Sequence, residues 1–154
     1  MAQFRTALTL SPDYIGGHVA VGELLLEMGR AEDALKEMQS ETDETWRLAG
    51  LAMTYHALGR EAESDAQLHD LIRKYEKTAS YSIAAVFAYR NEVDRAYEWL
   101  DKASQYHDSL LGSLAVYGMF ANLHSDPRWL PFLRKHGMAP DQLAAIKFDV
   151  KVPE

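Results

Sequence analysis

Six histidines are the first residues to test for catalysis or metal binding: His18, His56, His69, His107, His124 and His136. No two of them are three or four residues apart, so no single helix offers a histidine pair to a metal. Asp65 and His69 share a helical face at i, i+4, which is the spacing of an ordinary surface pair. Cysteine is absent, which excludes a thiol nucleophile, a disulfide framework and any Cys-based zinc or iron–sulfur site. The sequence contains no HExxH, no Walker phosphate loop, no G-x-S-x-G elbow and no G-x-G-x-x-G fingerprint. The expectation is a protein that is not an enzyme, with no catalytic residue, no metal and no cofactor. The acidic stretch Glu41-Thr42-Asp43-Glu44 reads as a helix cap in a solvated loop, with attraction of a cation or basic partner as the alternative.

The elements that would position any site follow from composition and pattern. The chain has 154 residues, enough for one domain. It is 47% hydrophobic and 25% charged, which is globular composition and excludes disorder over most of its length. No apolar run approaches the roughly 20 residues that span a bilayer, so membrane insertion is not expected. The net charge of -7 repels phosphate backbones, so nucleic acid is not an expected partner. No secretory leader opens the chain, and the expected location is cytoplasmic.

Three stretches follow one template. They run from His18-x-x-Val21-Gly22-x-x-Leu25 to Ala34-x-x-x-Met38, from Leu48-x-x-Leu51-Ala52-x-x-Tyr55 to Ser64-x-x-x-Leu68, and from Ser80-x-x-Ile83-Ala84-x-x-Phe87 to Ala96-x-x-x-Leu100. In each, nine positions separate the large apolar residue from the later small one, while the step between units varies from 30 to 32. A fixed interior with a variable joint is what stacked helix pairs produce. Gly22, Ala52 and Ala84 lie mid-way along a first helix, and Ala34, Ser64 and Ala96 lie early in a second. Small side chains on both partners permit close approach. Gly29, Gly59 and Asn91 share the template position just past the first helix, where a positive φ is wanted. The patterns predict helices over about 2–10, 12–28, 31–39, 43–58, 61–76, 79–89, 92–106, 109–122 and 126–136, with a short helix after Pro140.

The small–large pattern, the turn glycine and the unit length resemble the tetratricopeptide repeat (TPR), a helical hairpin of about 34 residues. The resemblance implies an all-α fold, a right-handed α-α superhelix of antiparallel helix pairs. Within it, residues 1–138 form the repeat domain: 1–14 end a preceding repeat, 15–44, 45–76 and 77–108 are repeats, and 109–138 are capping helices. Residues 139–154 form a tail. His18, Leu48 and Ser80 stand where the family usually has Trp. Phe4-x-x-Ala7 followed by Pro12 resembles the end of a repeat, so the chain is expected to be the C-terminal portion of a longer bacterial protein, with Phe4, Leu8 and Leu10 on a stacking face. Asp126-Pro127-Arg128-Trp129 and Phe132-Leu133 resemble the terminus of bacterial TPR regions, which often follow a signalling or DNA-binding domain.

In that family the first helices line a concave groove. Carried over, the groove positions are Gly16, Val19, Ala20, Glu23 and Glu27; then Trp46, Ala49, Gly50, Met53, His56 and Ala57; then Thr78, Tyr81, Ser82, Ala85, Ala88 and Tyr89. Of these, Val19, Glu23, Trp46, Met53, His56, Tyr81 and Tyr89 are the candidate partner-binding residues, because aromatic and Met side chains in a concavity anchor peptides. Packing between neighbouring helices is the competing role for the aromatics, Tyr81 above all. None of the groove positions is Lys, Arg or Asn, the residues that clamp a partner's C-terminal carboxylate in TPR adaptors, so acidic C-terminal peptides are not expected to bind. The expected function is a non-catalytic scaffold that holds a protein or peptide partner, with self-assembly through the N-terminal helix, or regulation of an attached domain, as the alternative.

Overall fold

The computed structural model describes residues 14–147, and within them every regular element is helical. Six helices form three hairpins: α1 (Gly17–Glu27) with α2 (Ala31–Ser40), α3 (Glu44–Ala57) with α4 (Glu61–Tyr75), and α5 (Ser80–Tyr89) with α6 (Val93–Gln105). The first helices also touch their neighbours, α1 against α3 and α3 against α5. Two 3-10 turns follow, Ser109–Ser113 and Gly118–Leu123, and then the short helices α7 (Trp129–Lys135) and α8 (Pro140–Ala144).

The repeated template has a direct physical counterpart at each turn. Gly29, Gly59 and Asn91 take φ of 72, 69 and 60°. The next residue then donates its N–H back to the large apolar position of the same unit: Arg30 to Leu25 at 2.8 Å, Arg60 to Tyr55 and Glu92 to Phe87 at 2.9 Å. These bonds satisfy the last carbonyls of each first helix. The six small positions, Gly22, Ala34, Ala52, Ser64, Ala84 and Ala96, are all buried. Ser64 turns the close approach into a bond, donating its hydroxyl to the Ala52 carbonyl at 2.7 Å. Met38 is the knob of the first joint. A Cβ at Gly22 would fall 2.6 Å from its Cε, and one at Gly50 would fall closer still to its Sδ.

The acidic stretch divides into three roles. Asp43 caps α3, accepting from the Trp46 N–H at 3.0 Å. Glu44 accepts from Lys74 and from the Tyr75 hydroxyl, both at 2.6 Å, and so fastens the start of α3 to the end of α4. Glu41 is 2% exposed, so the expectation of a solvated loop fails there. Its Oε1 accepts from the N–H groups of Thr42 and Asp43 at 3.0 and 3.1 Å, and its Oε2 accepts from the Val19 N–H at 3.3 Å. A buried carboxylate is tolerated when backbone donors surround it.

Three expected boundaries differ. The helix predicted from 12 begins at Gly17, because Gly16 adopts φ 77° and interrupts it; the expected Ser11-Pro12 cap and the helix over 2–10 lie outside the described residues. The helix predicted over 109–122 is replaced by the two 3-10 turns. Asp108 directs this change, accepting from the Leu110 N–H at 3.1 Å and from the Tyr81 N–H, in the first turn of α5, at 3.0 Å. The helix predicted from 126 starts at Trp129, which puts Pro131 in a first turn whose N–H groups have no helical partner. Ahead of it, Asp126 binds the Arg128 guanidinium at 2.8 Å, and Arg128 reaches Asp94 of α6 at 2.8 Å while covering the Tyr97 ring at 4.4 Å. The Arg128 bonds hold the Asp126 carboxyl down to about 2.

Candidate functional site

Helical spacing places Ala20, Glu23 and Glu27 on one stripe of α1. The chain between the two 3-10 turns crosses to that stripe. Tyr117 donates its hydroxyl to Glu23 Oε1, a contact between the first unit and a residue 94 positions later. The Tyr117 ring is fixed from behind by stacking on Tyr81, with centroids 5.8 Å apart, and by Phe120 edge-on at 5.9 Å. Tyr81 is itself anchored, its hydroxyl 2.9 Å from Ser113 Oγ. Gly118 has no side chain to obstruct Glu27: a Cβ there would lie 2.6 Å from Glu27 Oε1.

Two adjoining cavities result. One, of about 220 Å³, is walled by Ile15, Gly16, Val19, Ala20, Trp46 and Tyr117, with Glu23. The other, of about 340 Å³, lies between Leu24 and Glu27 on one side and Val116, Tyr117, Gly118 and Met119 on the other. Ala20, Glu23 and Tyr117 line both. The rim is apolar and open to solvent, with Ile15 62% and Val116 83% exposed.

The electrostatics are those of an acid with no counter-ion among the described residues. Burial pushes the Glu23 carboxyl up to about 7; the Tyr117 hydrogen bond opposes that rise, and the Glu27 charge adds to it. Burial, together with the adjacent Glu23, holds Tyr117 well above the usual phenol value. Burial also moves Tyr81 up to about 12. Among the described residues no Lys, Arg or His nitrogen lies within ion-pair distance of Glu23 or Glu27.

The seven expected groove residues separate into three groups. Val19, Glu23 and Trp46 meet at the first cavity. His56 and Tyr89 meet further along the row, ring centroids 6.3 Å apart, with His56 Nδ1 3.0 Å from Glu61. Met53 and Tyr81 are 1% and 2% exposed, so they pack in the interior, Tyr81 under the closing segment. Tyr117, Gly118 and Val116 complete the site and were not among the expected residues. The glycines at 112 and 118, unusual within an apolar helix, are the signal in the sequence that could have found them.

A larger cleft of about 610 Å³ lies between α6 and α7. Its charges are already matched across it, Arg128 to Asp94 at 2.8 Å and Lys135 to Asp101 at 3.3 Å. Among the described residues no group of three His, Asp or Glu side chains converges as a metal site, and no helix is long and apolar enough to cross a membrane. No protein-family model, curated protein or solved structure matches this chain.

Proposed function

We propose that this chain is a TPR-like, non-catalytic interaction module that holds a protein partner against the face formed by α1, α3 and α5. The contact pattern supports that architecture. First helices touch one another along the row, while α2 and α4 also pack on the first helix of the next unit. In TPR solenoids such a row curves with the first helices inside. The observation that carries the function is the pair of cavities at α1, one lined by half-buried Trp46 and exposed Ile15 and the other by exposed Val116. A rigid aromatic beside a cavity with an apolar rim is how interfaces concentrate binding energy. The test is affinity capture from the source cell with wild type and Trp46→Ala, the fold being checked by circular dichroism. A protein retained by wild type and lost by the variant is expected. Equal retention by both would contradict the reading.

Self-assembly through the chain ends is the second reading. Leu130, Leu143 and Ile146 are exposed on and beside α7 and α8, an apolar area at the end of the row. Light scattering over a hundredfold range of concentration separates the two, since assembly requires the mass to rise.

A further inference from the structure

We propose that the cavity at Glu23 is an anchor pocket for a lysine side chain of the partner protein, with the ammonium between Glu23 and Glu27 and the aliphatic stem along Trp46, Val19 and Tyr117. This rests on reading the α1–α3–α5 face as the docking surface.

The pocket has the two parts that such a side chain needs. Its walls are hydrocarbon and aromatic, suited to a chain of methylenes. Its base carries a carboxylate whose Oε1 takes one hydrogen bond, from Tyr117, and whose Oε2 has no partner among the described residues. The second carboxylate, Glu27, is one turn away and lines the adjoining cavity, which Glu23 also lines, with room left by the glycine at 118.

Charge selects the ligand. Two like charges one helical turn apart repel, and Glu23 is partly stripped of water as well. Other acids of the described chain obtain compensation, Glu44 from Lys74 and Asp94 from Arg128. Among the described residues Glu23 and Glu27 obtain none from a cation, so an incoming ammonium supplies what these lack. An anionic side chain is repelled there, and a neutral one gains only the apolar contact of the walls. The net charge of -7 steers a basic partner toward this surface. The rise of the Glu23 carboxyl toward neutrality is the free-state consequence of the same arrangement. The titratable groups that face it are Glu27 on its own helix, Tyr117 on the closing segment and Tyr81 behind that residue.

The test uses the full chain and three probes followed by amide chemical shifts: the capped pentapeptide Ala-Ala-Lys-Ala-Ala, the same peptide with norleucine for lysine, and spermidine. Saturable millimolar binding of the lysine peptide is expected, with shifts at α1 and at residues 116–118. The norleucine peptide should bind at least tenfold more weakly. Affinity for lysine should rise about tenfold between pH 6 and pH 8, as the carboxyl ionises. Glu23→Gln should weaken lysine binding at least tenfold and remove that pH dependence. Glu27→Gln gives a second variant with the same expected direction. Equal binding of the norleucine peptide, no saturable shift, or undiminished binding by both variants would overturn the proposal. Tighter binding of spermidine than of the peptide would assign the pocket to a diffusible amine and overturn it as well. If Trp46-dependent capture of a partner persists while the lysine peptide fails, only the lysine pocket falls. If the peptide binds and no capture depends on Trp46, the docking-face reading falls.

Discussion

At neutral pH the Glu23 carboxyl is near its midpoint, about 7 against an ordinary 4.5, and that displacement enters the stability of the whole chain. Below the ordinary value, folded and unfolded chains both carry the proton, and burying the neutral acid costs little. As pH rises from about 4.5 toward 7, the unfolded chain releases its proton first, so folding stability falls through this window and levels off above it. Glu23→Gln removes the titration while keeping an acceptor for Tyr117. The variant should therefore gain on wild type by about 1–3 kcal/mol between pH 4.5 and pH 8, read from urea unfolding at several pH values. A constant difference across that range would place Glu23 in an ordinary solvated setting. Glu41 is buried as well, with three backbone N–H groups holding its side chain in place. Glu41→Ala strands those donors and should cost about 2–4 kcal/mol in the same assay.

Elements were legible where packing repeats and illegible where it does not. Three turns with Gly29, Gly59 and Asn91, each seven residues after the small residue of its first helix (Gly22, Ala52 and Ala84), identify a positive φ without any coordinates, and all three adopt it. The helices α2 to α6 begin and end within about two residues of their expected limits, because caps and turns are local chemistry. Residues 109–123 misled because Leu110, Leu111, Leu114 and Phe120 have the apolar density of a helix, while the bonds that reshape the segment come from Asp108 and Tyr81, contacts invisible to periodicity. The same segment explains why Tyr81, expected on an open groove, is interior. The joint between the first two hairpins gives the sharpest test at this scale. Met38 is held between Gly22 and Gly50, so it cannot yield to one without entering the other. Gly50→Ala should destabilise by about 1–3 kcal/mol, and Met38→Ala in that background should cost less than Met38→Ala alone, as a thermal double-mutant cycle would show. Additive effects would mean that Met38 moves aside freely.

Across the whole molecule, the closing segment joins the first hairpin to the chain that follows the third, through Tyr117 on Glu23 and through the Tyr81 stack. The two ends of the row should therefore be energetically coupled. Glu23→Gln and Tyr117→Phe should be non-additive in unfolding at pH 8, with an interaction energy of about 0.5–2 kcal/mol, whereas independent sites would add. On the proposed reading the same closure would direct a partner to Trp46, since it leaves the face of the first helices open there and filled at Tyr81. Hydrogen exchange of the bound complex addresses that claim most directly. Slowed exchange should appear in α1, in the first half of α3 and at residues 116–118. Protection confined to α2, α4 and α6, or to α7 and α8, would contradict the account.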